Sequence, residues 1–338
     1  MPMLHFLNVK SGDCSIIEHV SGHITVIDVC NAKTPDVYAE AAAKVAAGKE
    51  RGILGNFGQK DYPVNPITYM RERGINSVFR FILTHPDCDH LDGMKVFFET
   101  FSPANFWDTD NDAEKEFGDD YFAYDEDDWK FYKKLRIEKP TDDPKRLTLL
   151  SGSIGQYFNK GENNEGGGDG LHILSPTKEL VASGCESGDY NDCSYAILYK
   201  TGELRILFAG DTHDASWDHI LKNHRADVIN VDLLIAPHHG RDSDRDWSIL
   251  DTLNPSLTLF GNASSEHLAY SAFSSRGLPI ITNNQAGNII GHIVDNVINI
   301  YVTHKNYAEH STANTFYADS FDAYYWGTVR PRKATTGA

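Results

Sequence analysis

The sequence predicts an α/β fold, and three observations carry that prediction. Short apolar runs recur along the chain and end abruptly in polar, metal-capable residues: Val78 to Leu83, Leu204 to Ala209, Val231 to Ala236 and Ser256 to Phe260. Alanine-rich or amphipathic stretches of helical length stand between the early runs. A Gly/Asn/Glu stretch from Gly161 to Gly170 divides the chain into two halves of similar make-up. At 338 residues the length allows two domains, but a sandwich of two αβ halves also fits as one unit.

Taken in order, Leu4 to Val9 and Ser15 to His19 read as an opening hairpin, and Ile24 to Val29 as a third strand. Val37 to Lys49 is alanine-rich and predicts a helix, Arg51 to Asn65 a Gly-containing loop, and Ile67 to Arg73 a short helix stopped near Gly74. Val78 to Leu83 is the next strand. Leu91 to Phe98 is expected to open a helix whose N-terminus carries Asp89 and His90, where the helix dipole favours anionic groups. In the second half, strands are expected at Leu171 to Leu174 and Tyr195 to Tyr199, with an Asn191-Asp192 turn between them, and at Val297 to Val302. The stretch from about 304 onward is polar and aromatic and reads as a short C-terminal extension. No repeat of fixed period emerges.

The chemistry concentrates in Thr84-His85-Pro86-Asp87-Cys88-Asp89-His90-Leu91-Asp92-Gly93, which places four metal-capable side chains within six positions directly after an apolar strand. Imidazoles and carboxylates packed this closely repel and desolvate one another unless something binds them, and a pair of divalent metal ions is the usual answer. Three later strand ends add Gly210-Asp211, Pro237-His238-His239-Gly240 and Gly261-Asn262. Ligands at the ends of neighbouring strands converge on one edge of a sheet. Cys88 lies inside the motif; as a soft donor between two carboxylates it reads better as a small buried filler than as a ligand.

These residues resemble the metallo-β-lactamase superfamily, and within it the soluble hydrolase domain of the ComEC competence protein. The family motif His-x-(His or Asp)-x-Asp-His is matched by His85, Asp87, Asp89 and His90. The family's Gly-Asp is matched by Gly210-Asp211, and His-His-Gly by His238, His239 and Gly240. Weaker echoes are Gly12-Asp13, Ile27-Asp28, Asn191-Asp192-Cys193-Ser194 and Asn283 to Gly287, so that the resemblance spans roughly residues 4 to 303. The chain departs from the pattern at Cys30-Asn31, at Leu91-Asp92-Gly93, at Arg241-Asp242 after His-His-Gly, and at His267, which lacks a following proline.

The resemblance implies an αββα sandwich of two mixed β-sheets flanked by helices, and a dinuclear metal centre with a hydroxide held between the ions. In that scheme His85 and Asp87 serve the first metal, Asp89 and His90 the second, Asp211 bridges, and His238 completes the second metal. His239 is then free as a proton donor or supporting partner, and Asp89, Asp211 and His239 are the expected catalytic residues. The third ligand of the first metal stays open among Asp192, Asn191 and His213; Asp192 is preferred for its charge. Because Asp87, Asp89 and Asp211 make the set carboxylate-rich, manganese or magnesium competes with zinc.

Composition bounds the partners. There are 31 basic against 48 acidic residues, a net charge of −17. Ten of those negative charges come from Asp108 to Asp128, with eleven acidic residues and one lysine, while Trp129 to Arg146 supplies seven basic residues. The region from about 104 to 146 therefore reads as an acidic/basic insertion, a lid or a protein-partner surface. Asp108, Asp110 and Asp112 begin like a calcium loop, but Ala113 stands where the turn needs glycine and Asp119 where a bidentate glutamate belongs. Tight duplex binding is disfavoured by the charge, leaving a small phosphodiester or a single strand held by metal and by Arg241 and Arg245. The alternatives are a lactone, ester or amide hydrolase and a non-catalytic sensor on the same fold. Five widely spaced cysteines, no run of 18 apolar residues and no basic-apolar leader point to a cytoplasmic protein away from membranes.

Overall fold

The structure is a computed structural model; it describes all residues except 48–56, 118–123, 138–142, 164, 264–266 and 333–338. Sixteen strands are described: β1 Met3–Phe6, β2 Ser15–Glu18, β3 Ile24–Ile27, β4 Arg80–Ile82, β5 Asn105–Trp107, β6 Lys145–Leu147, β7 Leu171–Ser175, β8 Ala196–Thr201, β9 Leu204–Phe208, β10 Leu233–Ile235, β11 Leu257–Phe260, β12 Ile280–Thr282, β13 Ile289–Val294, β14 Val297–Val302, β15 Tyr317–Ala318 and β16 Ala323–Val329. They form two mixed sheets, one ordered β15-β16-β14-β13-β1-β2-β3-β4-β5-β6 and the other β12-β11-β10-β9-β8-β7.

The layering follows from the two-residue period of the strands. In β4, Ile82 joins a core between the sheets while Phe81 faces the outer helices; in β9, Ile206 and Phe208 point inward while Leu207 points outward. The inter-sheet core mixes β1, β4 and β5 with β8 to β11, so strands of both halves share it. Helices Pro66–Glu72, Met94–Phe101 and Glu126–Ile137 cover the outer face of the first sheet through Met70, Phe97 and Trp129. Helices Asp214–Asn223, Leu250–Leu253 and Tyr270–Ser274 cover the second through Trp217, Leu253 and Phe273. The result is the expected four-layer sandwich of two mixed sheets between helices.

Several expectations are refined. The helix after the metal motif starts at Met94, not Leu91, and Asp89 and His90 lie instead in a 3-10 turn, Cys88–His90. Gly93 adopts a left-handed φ of 91° that breaks the helix path, and the helix N-terminus is capped from far along the chain: Asp128 accepts hydrogen bonds from the Gly93 and Lys95 amides at 2.8 and 2.9 Å. Helix Val37–Ala47 has the predicted start; the end of that segment and residues 51–56 of the following loop lie outside the described residues. The region read as an insertion begins and ends in strands, because β5 and β6 extend the first sheet in parallel. Its acidic and basic stretches do pair: Asp108 with Arg146 at 2.9 Å, and Glu114 with Arg136 and Lys133. The C-terminal extension likewise adds β15 and β16 to the first sheet beside β14. No helix among the described residues is long and apolar enough to cross a membrane.

A polar pin crosses the inter-sheet core. Arg80 donates to Thr25 at 2.7 Å and to Asp169 at 3.0 Å, and His19 Nε2 lies 2.8 Å from the same Thr25 hydroxyl. Burial holds the His19 imidazole down from 6.5 to about 4, against the pull of Asp169. The unfolded chain protonates near 6.5 and the folded chain only near 4, so this contribution to stability is complete above pH 6.5 and is lost as the pH falls toward 4. It amounts to about 3 kcal/mol over that window. Denaturant titrations at pH 7 and pH 4.5 should therefore show a larger stability loss for the native chain than for His19→Gln; equal losses would contradict the assignment.

Candidate metal centre

Four strand ends build the site. β4 ends at Ile82 and delivers Thr84 to His90; β9 ends at Phe208 and delivers Asp211; β10 ends at Ile235 and delivers His238 and His239; β11 ends at Phe260 beside them. Strands β9 to β12 run parallel, so their carboxyl ends share one edge.

Asp211 lies at the centre, buried, with its two oxygens facing different imidazoles. Oδ1 is 3.3 Å from His90 Nε2. Oδ2 is 3.6 Å from His238 Nε2, 3.7 Å from His85 Nε2 and 3.8 Å from His239 Nε2. Burial alone would raise the Asp211 carboxyl, but His90, His239 and His85 hold it well below the usual range. His90 is driven the other way: burial disfavours its charge, and Asp211, Asp28 and Asp89 overcome that and raise it. Asp89 is lowered by His90 and His239 despite burial.

The nitrogen atoms facing Asp211 are fixed by partners on the far side of each ring. His90 Nδ1 lies 2.8 Å from Asp28 Oδ2, and a carboxylate there selects the Nδ1–H tautomer, leaving Nε2 for the centre. Thr84 donates its hydroxyl to Asp28 at 2.7 Å and so accepts from His85 Nδ1 at 3.1 Å, which again leaves Nε2 inward. His239 Nδ1 lies 3.0 Å from Asp13 Oδ1. The Gly12-Asp13 loop reaches this position only because residue 12 lacks a side chain; a Cβ there would sit 1.7 Å from the Asp89 carbonyl oxygen. Gly240 is required for a similar reason, with φ at 85° and a virtual Cβ 2.4 Å from the Phe260 ring.

A chemical test supports a cation at this place. His85 Nε2, His90 Nε2, His239 Nε2 and Asp211 Oδ1 are all buried and have no hydrogen-bond partner. Buried polar atoms are almost always satisfied, and imidazole nitrogens and a carboxylate oxygen left unpartnered around one point are what a divalent cation takes up, displacing any protons they carry. Two groupings have ligand atoms within 4.8 Å of one another: His85, His90 and Asp211, and Asp89, His90 and His239.

The expected roles are redistributed in part. His85, Asp87, Asp89, His90, Asp211, His238 and His239 all reach the site. His239, not His238, groups with Asp89 and His90: its Nε2 is 3.4 Å from Asp89 Oδ2. His238 approaches the Asp211 oxygen shared with His85, and burial keeps it neutral with its pKa lowered to about 4. The two adjacent histidines diverge because both have left-handed backbones, with φ of 51° and 58°.

Asp192 does not join them. Its Oδ1 accepts from the His213 and Ser216 amides at 2.9 and 3.0 Å, capping helix Asp214–Asn223. His213 begins that helix and turns its ring to the Ser243 carbonyl at 3.0 Å. Asn191 leaves its side-chain carbonyl buried and unpartnered, away from any hydrogen bond. Cys88 is a buried thiol, raised to about 11 by burial, as a filler requires. Arg245, expected at the substrate, is buried and spends its guanidinium on the Thr212 carbonyl and on His238 Nδ1, at 3.3 Å.

Two supporting residues, Asp28 and Asp13, stood only as faint echoes in the sequence, and Lys115 had no role assigned at all. Its ammonium lies 2.7 Å from Asp87 Oδ1, while Asp87 Oδ2 lies 3.4 Å from His85 Nε2. Burial would raise the Asp87 carboxyl, but His85 and Lys115 together hold it far below the usual range.

No protein-family model and no curated protein matches the chain. Among solved structures it is similar to the metallo-beta-lactamase fold protein YhfI of Bacillus subtilis, at 12% identity over 83% of this chain and 96% of that one, with a TM-score of 0.42. It is similar to Tm1679, a metal-dependent hydrolase of the beta-lactamase superfamily, at 12% identity over 87% and 100%, with a TM-score of 0.46. A diphosphatase of the PhnP family aligns at 14% identity over 83% and 94%, with a TM-score of 0.40. At such scores the architecture rests on the strand order and core layers, and the chemistry on the side-chain geometry.

Two outcomes follow. Asp28→Asn puts an amide NH2 or a neutral oxygen where Thr84 and His90 need a carboxylate, and should weaken manganese or zinc binding about 10- to 100-fold with an unchanged circular dichroism spectrum. Asp211→Ala should lower the metal content of reconstituted protein by at least one equivalent in elemental analysis. Native affinity in the first variant or native content in the second contradicts the site.

Proposed function

We propose that the chain is a dinuclear metal-dependent hydrolase that cleaves phosphodiesters in the cytoplasm, with manganese or zinc, or else magnesium, as its ions. One observation carries this reading: a buried carboxylate, Asp211, faces His90 with one oxygen and His85, His238 and His239 with the other. Only a carboxylate offers separate oxygens to two cations, and a single structural metal would not need six further ligand-type side chains around it. His85, Asp87, Asp211 and His238 would hold the first ion, and Asp89, His90, His239 and Asp211 the second. When bound, such a pair supplies Lewis acidity and an acidified water.

The chain's own residues do the positioning. Asp28 and Thr84 hold His90 and His85 through Nδ1, and Asp13 lies 3.0 Å from His239 Nδ1, so that each Nε2 faces the centre. Asp89 is the partly exposed carboxylate of the second group, placed to take a proton from the attacking water. His239, wedged between Asp13 and Asp89, is held for ligation rather than for proton donation. His238 is the more exposed of the pair and stays neutral under Arg245.

The substrate class rests on the resemblance of the motif order to the ComEC hydrolase domain. The net charge of −17 favours a small phosphodiester or a single strand over a duplex. That same acidity favours a second reading, hydrolysis of an uncharged lactone or ester. Hydrolysis of bis(p-nitrophenyl) phosphate, single-stranded DNA and a chromogenic lactone, each with manganese or zinc across a salt series, separates the two. Manganese-stimulated phosphodiester cleavage with a shallow salt dependence is expected. Lactone turnover alone would transfer the assignment to the second reading, and turnover of none would leave a non-catalytic metal protein.

A further inference from the structure

Asp108 to Asp128 holds a single lysine among eleven acidic residues, and that lysine is the one seated at the metal motif. The placement is built. Ala113, two residues before it, is fully buried, and its carbonyl accepts from Arg136 at 2.8 Å. Glu114 is clamped by Arg136 and Lys133. The Lys115 ammonium stands 5.7 Å from the ring centre of buried Trp129 and 2.7 Å from Asp87 Oδ1. The two oxygens of Asp87 are divided: Oδ2 turns toward His85 and the centre, and Oδ1 toward Lys115. A cation taken up by Oδ2 therefore does not displace the ammonium. Asp87 is 37% exposed and Lys115 17%, so this is the side of the centre that meets solvent, whereas His85, His90 and Asp211 are enclosed.

We infer that Lys115 is a substrate-binding residue: anchored on Asp87, its ammonium contacts an anionic oxygen of the group bound at the centre and makes the site selective for a phosphoryl anion over a neutral ester. The inference rests on the metal-hydrolase reading and names the residue that would give it its substrate class. It also accounts for a cation placed inside so acidic a segment, since a point charge with three donors recognises phosphoryl oxygen without needing a planar fork.

The test uses the whole chain loaded with manganese and inorganic phosphate as the probe, with binding followed by calorimetry. Lys115→Met should weaken phosphate binding about tenfold, the worth of one charge-assisted hydrogen bond. Lys115→Arg should stay within about threefold of the native chain, because the charge is kept. Manganese affinity, measured by chelator competition, should change by less than about threefold in both variants, since Oδ2 and the other ligands remain. Unchanged phosphate affinity in Lys115→Met overturns the inference, as does no phosphate binding by the native chain. It is also overturned if phosphate and manganese affinity fall together, which would make Lys115 a positioning residue for Asp87, or if Lys115→Arg is as weak as Lys115→Met. Phosphodiester turnover on the same samples judges the hydrolase reading separately: Lys115-dependent phosphate binding without turnover supports this inference and sinks that reading.

Discussion

One buried carboxylate organises this molecule. Asp211 sits among His85, His90, His238 and His239, none farther than 3.8 Å from one of its oxygens. An anion enclosed this way would be costly in an apolar core; surrounded by imidazoles it is held ionised, and the imidazoles are in turn held by Asp28, Thr84 and Asp13. The strand edges of the second sheet have to meet the first sheet here for the charges to balance. The inter-sheet core of Ile82, Phe208 and Ile235 therefore fixes the centre from below.

The backbone devices around the site serve the same end. Gly12 lets a loop touch the Asp89 carbonyl and brings Asp13 to His239. Two consecutive left-handed histidines before Gly240 bring both imidazoles to Asp211 Oδ2 while sending His239 alone on to Asp89. Left-handed backbone at non-glycine residues costs energy and persists where the surroundings over-determine it, which is the usual condition of a functional site. Asp128 caps the helix that follows the motif, so the acidic segment supports the centre structurally at one end and contributes Lys115 at the other.

Much of this was legible in the sequence because strand-end polarity is local. The four apolar runs and their terminal residues predicted both the sheets and the edge at which His85, Asp89, His90 and Asp211 meet, and Val297–Val302 is a strand over the residues expected. What was not legible depends on contacts distant in sequence. The helix after the motif begins three residues late because Asp128, 35 positions away, sets its cap. Asp192 has the charge of a ligand, but its carboxylate is committed to the His213 and Ser216 amides. Which of His238 and His239 faces Asp89 is decided by backbone angles that no side-chain pattern reveals. Lys115 was read only as the odd member of an acidic run, because its partner Asp87 lies 28 residues earlier.

The central claim is a pair of cations divided by Asp211. The most direct measurement is an anomalous-scattering map from crystals of the chain grown or soaked with manganese. The account predicts two peaks on either side of the Asp211 carboxylate, one among His85, Asp87 and His238 and one among Asp89, His90 and His239. A single peak, or peaks away from Asp211, would contradict it.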